Sequence, residues 1–377
     1  MKKPIKNILL THSSNDLYGA SKVLISTIEI LILNGFKVHL ILPSNGPLNY
    51  NETIKKVNLT IVNLGVFRKK YFNIMGLFNR LFYILKSISY INRYIKKNKI
   101  DLVFINTSTT ISPCISSYIS KVPSIYHIHE IPKGSNIYLA FLIKVINKFS
   151  NKVIAVSNVV KEYWVKNGMI EDKINVIYNG YDFDFTLKKT KEKNKIIFTS
   201  ISRIIPYKGH IFLIELFREI LKYRNDIILQ IVGDTLPVYQ SYLNELKSKV
   251  KEYKLNNNIF FLGFIPSIKP ALQNADFFIH APIDPDPAPA VILEAIESRT
   301  AVIYSDMGGA REILDNGKNG LKINLNSIQK SSKLILNYIS QKKIQQKRIE
   351  DSINFVSNNF NKHSYKINLL NVLLNFE

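Results

Sequence analysis

Cysteine is almost missing from this 377-residue chain: Cys114 stands alone, which excludes a disulfide framework and a thiolate metal cluster and fits a reducing compartment, the cytoplasm. Long apolar runs are missing as well. Met1 to Ser14 offers only Ile8-Leu9-Leu10 after its basic residues, too short for a signal-peptide core. The longest uncharged stretch, Leu102 to Ser120, is studded with Ser, Thr and Asn and broken by Pro113, so no segment is expected to cross a bilayer. Carboxylates are scarce, 28 Asp plus Glu against 51 Lys plus Arg, a formal charge of +23. That balance invites a polyanionic partner, although a general bias toward Ile, Asn and Lys contributes to it.

What is present argues for two folded domains. A hydrophobic share of 46% excludes wholesale disorder, and the length suits a pair of ordinary cores. Asn7 to Thr11 reads as a strand, Ala20 to Leu33 as a helix stopped by Asn34-Gly35, and Phe36 to Leu42 as a second strand, a βαβ unit. Apolar runs at 102–106, 124–127, 153–156 and 175–178 continue it as a doubly wound parallel sheet. Thr186 to Lys195 has no aliphatic residue after Leu187 and reads as a linker. Beyond it, runs at 196–202, 227–232, 258–262, 275–280 and 301–304 predict a second such sheet. The expected division is therefore 1–185, a linker at 186–195, a second domain at 196–355, and a terminal segment at 356–377 with a helix near 366–376.

Paired α/β sheets bind ligands in loops beyond the carboxyl ends of their strands, and polar motifs fall there. The loop His12 to Tyr18 leads into Gly19-Ala20 at a helix start, either an anion site open to a phosphate or sugar or a glycine that merely serves the turn. After the first strand of the second domain, Arg203 and Lys208 set two cations on one loop, able to neutralise a departing diphosphate without a metal. A loop of four prolines carries Asp286 and leads into Ala290-Val291, which open a helix bearing Glu294. Both carboxylates suit sugar hydroxyls. His127 and His129 share one face of a strand end, where hydrogen bonding to a sugar is more economical than zinc. Asp182-Phe183-Asp184 and Asp284-Pro285-Asp286 spell Asp-x-Asp, too short a pattern to assign a metal.

Taken in order, these motifs resemble those of the retaining GT-B glycosyltransferases of family 4 over nearly the whole chain. They include Gly19-Ala20, His129-Glu130, Asn179-Gly180, Arg203 with Lys208-Gly209, Val232-Gly233-Asp234 and Phe261-Leu262-Gly263-Phe264. Asp286 to Ala295, Gly308-Gly309-Ala310-Arg311-Glu312 and Asn319-Gly320 follow. The resemblance implies two Rossmann-like domains facing across a cleft, with the last helix returning to the first. It implies a nucleotide-diphosphate sugar as donor substrate, no cofactor and no metal, and a saccharide or lipid-linked saccharide as acceptor, in cell-surface polysaccharide or glycolipid synthesis. Carried over by position, Arg203 and Lys208 hold the diphosphate, Glu294 the ribose and Asp286 the transferred sugar. Gly263 and Phe264 border the base, with Ala290 and Val291 beside the donor, His129 and His127 lie near the acceptor, and Gly19 approaches phosphate or acceptor. The implied chemistry is front-face attack with retention, the leaving phosphate taking the acceptor proton. The family's Glu-Pro-Phe-Gly stands here as Asp286-Pro287-Ala288-Pro289, one methylene shorter and stiffer.

Between Glu52 and Asp101 there is no carboxylate but eleven basic residues. Ile74, Leu77, Phe78, Leu81, Leu85, Ile88, Ile91 and Ile95 recur at helical spacing, with Lys86, Arg93 and Lys97 opposite. Either that stripe faces the sheet or the helix lies on an anionic membrane, at the inner face of the cell membrane. A basic nucleic-acid-binding protein is the rival outside enzymology, without any helix-turn-helix, finger or RNP signature behind it. A GT-B epimerase or phosphorylase and an inactive sugar-binding relative are the rivals within the fold.

Overall fold

The computed structural model describes residues 4–67, 71, 73–132, 136–186, 195–374 and 376. Contacts divide the chain into two compact units, residues 1–180 with 362–377, and residues 181–361.

In unit 1 the strands are β1 (Asn7–His12), β2 (Lys37–Leu42), β3 (Asn58–Ile61), β4 (Leu102–Asn106), β5 (Ser124–Ile128), β6 (Lys152–Ala155) and β7 (Ile174–Val176). Its helices are α1 (Gly19–Leu33), α2 (Ile74–Lys97), α3 (Ser112–Ile119), α4 (Asn136–Phe149) and α5 (Asn158–Lys166). The sheet runs β3-β2-β1-β4-β5-β6-β7 with every pairing parallel. β4 has no exposed side chain. A parallel sheet covered on both faces needs apolar residues at consecutive positions, which is why these strands read as runs and not as alternation.

Unit 2 repeats the plan with β8 (Ile196–Ile201), β9 (Ile227–Val232), β10 (Ile259–Gly263), β11 (Phe277–His280), β12 (Ala301–Ser305) and β13 (Leu321–Ile323), ordered β10-β9-β8-β11-β12-β13 and again parallel. Around it lie α6 (His210–Ile220), α7 (Gln240–Glu252), α8 (Lys269–Gln273), α9 (Ala290–Glu297), α10 (Ala310–Ile313), α11 (Ile328–Ser340) and α12 (Lys342–Asn359). In its core Phe198 stacks on Phe277 and meets Phe217 edge to face. The strand order reverses direction between β1 and β4 in one unit and between β8 and β11 in the other, and the crevice at such a switch is where doubly wound sheets bind ligands.

The terminal helix α13 (Lys362–Leu374) completes unit 1. Tyr365 and Leu369 join its core, the Tyr365 hydroxyl lies 2.6 Å from Thr27 Oγ1, and Lys362 Nζ is 2.8 Å from Glu29.

Two boundaries differ from the sequence reading. Residues 181–185, grouped there with the first domain, belong to unit 2: the Tyr181 amide donates to Phe360 O, and the Asp184 amide to Glu297 Oε1 at 2.7 Å. Of the expected linker only Thr186 and Lys195 lie among the described residues. At the C-terminus the return begins at Lys362, because α12 and the two residues after it, through Asn361, stay with unit 2. No helix among the described residues is long and apolar enough to cross a membrane.

The stripe on α2 is divided. Ile91 and Ile95 are buried, whereas Ile74, Leu77, Phe78, Leu81 and Leu85 are exposed; Ile84, outside the stripe, is buried. Ile74, Leu81, Ile88 and Ile95 are seven apart, and a heptad repeat on a straight helix rotates about 20° per repeat, so the stripe slides from the solvent side at its start to the sheet side at its end.

Candidate active site

In unit 2 the loops after β8 and β11 flank the switch point. Arg203 is exposed on the first, and that loop closes in a short turn, Pro206–Lys208, before Gly209. Gly209 has φ +78°, and a Cβ there would sit 1.9 Å from Ala281 O, so glycine alone lets the two loops touch. The contact has a chemical product: Lys208 Nζ lies 2.5 Å from Asp286 Oδ2, both side chains largely buried. His280, the last residue of β11, brings Nε2 to 3.5 Å from the same oxygen. Burial alone would raise the Asp286 carboxyl, but the His280 ring and the Lys208 ammonium outweigh it and hold the group well below the usual carboxylate range. Gly308, at φ +94°, meets the Asp286 backbone from the other side, the Gly309 amide donating to Asp286 O at 2.8 Å.

Tyr207 stands among these charges. Burial raises its hydroxyl, against the nearby Arg203 cation and with the carboxylates of Asp286 and Asp284. Ala290 and Val291 form the first turn of α9, and Glu294 follows, half-buried one turn on, near Tyr181. Gly263 ends β10 at φ +69°, its O accepting from the Gly233 amide, and Phe264 beyond it is exposed. Among the Asp-x-Asp residues, Asp184 accepts from the amide and hydroxyl of Thr186. Among the described residues no three His, Cys, Asp or Glu side chains gather as a metal would require.

In unit 1 the corresponding edge carries a hydrogen-bonded set of polar groups. Asn106, the end of β4, accepts from His129 Nε2 at 2.8 Å and donates to Ala20 O, which assigns the proton to Nε2 and leaves Nδ1 as the acceptor nitrogen. Burial, then the rings of His127 and His12, keep His129 well below the ordinary imidazole range. His12 contacts Asn106 through Nδ1 and Ser21 through Nε2, and Ser21 donates to Asp16. Glu130 accepts from the Ser108 amide and hydroxyl and from the His129 amide, which fixes the turn after β5. Gly19 opens α1, and a Cβ there would meet nothing within 4 Å, so the chain's own packing does not demand glycine at that position.

One expected contact is corrected. His127, read from sequence as a second acceptor group, has no accessible surface: it lies between Phe104, Tyr365 and the His129 ring 4.1 Å away, and burial pushes it down to about 3. It backs His129 and reaches no substrate. Sequence reasoning also passed over His12, Asn106 and His280. Each is a polar residue ending a buried strand, at the carboxyl edge, and that pattern alone could have flagged them.

Two family descriptions divide the chain between them: Glycosyltransferase Family 4 matches residues 18–185, and Glycosyl transferases group 1 matches residues 182–355. The chain belongs to glycosyltransferase family 4. An uncharacterized glycosyltransferase of Methanocaldococcus jannaschii is 29% identical over 228 residues, 58% of this chain and 57% of that one, so the match spans little more than half of that relative. The Escherichia coli UDP-Gal:alpha-D-GlcNAc-diphosphoundecaprenol alpha-1,3-galactosyltransferase is 25% identical over 83% of this chain and 82% of its own. Among solved structures, Anabaena HepE in complex with UDP superposes with a TM-score of 0.82 at 23% identity, covering 98% of this chain and 100% of that one. The two parallel sheets are thus the GT-B fold, and this family 4 glycosyltransferase presents its Lys208–Asp286 pair at the switch point of the second sheet.

Proposed function

We propose that this glycosyltransferase moves a hexosyl group from a UDP-sugar to a saccharide acceptor, free or lipid-linked, with retention of anomeric configuration and without a metal ion, in cell-surface polysaccharide or glycolipid synthesis. The observation that carries the reading is the ion pair of Lys208 with Asp286, beside Arg203, at the carboxyl edge where β8 and β11 part. A diphosphate arriving there gains a cation already held in position by a carboxylate, and that carboxylate keeps an oxygen for the sugar's hydroxyls. In this reading Arg203 and Lys208 stabilise the charge that builds on the leaving diphosphate, Glu294 holds the ribose and Gly263 with Phe264 border the base. Ala290 and Val291 supply helix-start amides. Gly19 gives the phosphate or acceptor room at the start of α1, and neutral His129 accepts a hydroxyl proton through Nδ1 in a hydrogen bond. No protein nucleophile is required, because the departing phosphate oxygen takes the acceptor's proton as the new bond forms on the same face.

The choice of UDP rests on the Escherichia coli relative, named for UDP-Gal, and on the Anabaena neighbour solved with UDP and with UDP-glucose. A lipid diphosphate acceptor is named for the same Escherichia coli enzyme, and capsular polysaccharide for a Staphylococcus aureus relative. The lone thiol, Cys114, suits the cytoplasm: it is buried and raised to about 12. Thermal-shift screening against UDP, GDP and ADP sugars, then transfer with the best donor in EDTA and NMR of the product's anomeric proton, tests the whole reading. Inverted product, activity abolished by EDTA, or stabilisation by none of the nucleotides would overturn the corresponding part.

A further inference from the structure

The first half of α2 leaves Ile74, Met75, Phe78, Leu81, Phe82 and Leu85 between 52% and 84% exposed. Six large apolar side chains on one side of three helical turns are more than the scattered exposure normal for a soluble surface. That half is anchored from behind, so it is not a loosely held segment. Asn73 caps the helix by accepting from the Gly76 amide, Arg80 is buried with its guanidinium 3.9 Å from the Tyr71 ring centroid, and Ile84 packs inward. Further along the helix Lys86, Arg93, Lys96 and Lys97 are all exposed. At about 100° per residue Lys96 lies in line with Phe78 and Arg93 with Met75 and Phe82, while Lys86 and Lys97 flank them farther round. The side chains therefore form an apolar wedge followed by a basic shoulder.

The wedge also has a definite place. Phe67, in the loop before α2, donates its amide to Thr109 O, in the loop after β4, and its ring lies 5.5 Å from Tyr138 and 6.3 Å from Phe141 on α4. Ile137, in the first turn of α4, is 83% exposed. The exposed apolar side chains thus belong to the carboxyl edge of the first sheet, the edge that carries Gly19 and His129.

We infer that this end of α2 docks unit 1 on an anionic lipid bilayer, with Ile74, Phe78 and Leu81 entering the boundary between headgroups and acyl chains while Arg93, Lys96 and Lys97 meet phosphate headgroups. Charge decides the occupant. No carboxylate occurs from residue 53 to residue 100, so a second copy of the chain would bring a basic face against a basic face, whereas an anionic membrane supplies the missing sign. The wedge is mostly aliphatic, with Phe78 and Phe82 its aromatic members, and side chains of this kind dissolve in lipid tails. A face of this kind would hold the acceptor-side edge of the sheet at the surface where a lipid-linked saccharide is presented. The docking itself is independent of the transfer reaction.

The test is co-sedimentation of the full chain with phosphatidylcholine vesicles and with vesicles also containing phosphatidylglycerol, without sugar nucleotide. Binding to the anionic vesicles is expected, weakened by salt. The variant Ile74→Ser/Phe78→Ser/Leu81→Ser should bind at least about ten-fold less. Arg93→Gln, Lys96→Gln and Lys97→Gln should each weaken binding to anionic vesicles by about five-fold. All these side chains are exposed, so an unchanged Tm is expected and shows that any loss is not unfolding. Negligible binding of the parent to both vesicles, equal binding of the triple serine variant, or a parent dimer in sedimentation velocity that the serine variant abolishes would each overturn the inference. Because donor and acceptor are absent from the assay, its failure leaves the transfer reading intact, and failure of that reading leaves the docking result intact.

Discussion

Replacing Lys208 by methionine removes the cation and keeps the bulk of its side chain. At the 2.5 Å separation from Asp286 the gross attraction is about 7 kcal/mol at an effective dielectric constant near 20. Dehydrating two ions opposes most of it, since the side chains are only 17% and 16% exposed, and the net contribution comes to roughly 1–3 kcal/mol. Lys208→Met and Asp286→Asn should each destabilise unit 2, and the double variant should lose less than their sum, giving a coupling of about 1–3 kcal/mol in urea unfolding. Folding holds the Asp286 carboxyl below its unfolded value near 3.9. Its contribution is therefore complete above about pH 4 and is lost as pH falls from there through the folded value. The stability gap between parent and Lys208→Met should stay constant from pH 5 to 8 and narrow in stronger acid. Turnover with saturating donor should fall by about 10²–10³, the usual effect of removing one group that stabilises developing negative charge. A coupling under about 0.5 kcal/mol, or turnover within about three-fold of the parent (~0.6 kcal/mol of barrier), would refute the role given to the pair.

Three further outcomes are expected. Gly209→Ala forces a Cβ against Ala281 O at φ +78° and should cost about 1–3 kcal/mol, seen as a lowered Tm together with weakened nucleotide binding. Tyr365→Phe removes the buried hydroxyl that meets Thr27 Oγ1 at 2.6 Å and should cost about 1–3 kcal/mol, while Thr27→Val in that background should add little. Burial holds His127 at about 3, so its contribution is full above the unfolded value of 6.5 and is lost as pH falls toward 3. His127→Phe should therefore flatten the loss of stability between pH 6.5 and pH 5 by up to about 2 kcal/mol in urea titrations, and an unaltered slope would count against a neutral, enclosed imidazole.

Most of the fold was legible because parallel sheets buried on both faces announce themselves as apolar runs, and Leu102–Asn106 and Ile227–Val232 stand where those runs predicted. The strands that escaped notice are the short edge ones. Asn58–Ile61 is partly exposed and carries two polar residues, and Leu321–Ile323 is only three residues long. Arg203, Lys208, Asp286 and Glu294 were legible as residues, yet nothing in their spacing told that Lys208 and Asp286, 78 positions apart, would close on one another. That pairing is set by Gly209 and Gly308, whose left-handed backbones bring the loops together. The burial of His127 was equally invisible, since it depends on Tyr365 arriving from the far end of the chain. The domain boundary escaped for a related reason: a composition change marks where the chain is solvated, not where its backbone hydrogen bonds lead.

The place of α13 bears on the order in which the polypeptide can mature. Unit 2 is continuous, residues 181–361, and leaves a ribosome whole, whereas unit 1 lacks Tyr365 and Leu369 until all of unit 2 has been made. The nascent amino-terminal half must wait with an open groove over Thr27 and Ile28 while some two hundred residues behind it emerge, and its closing step joins positions 338 apart in sequence. A truncation just before Lys362 would therefore injure the first unit while sparing the second.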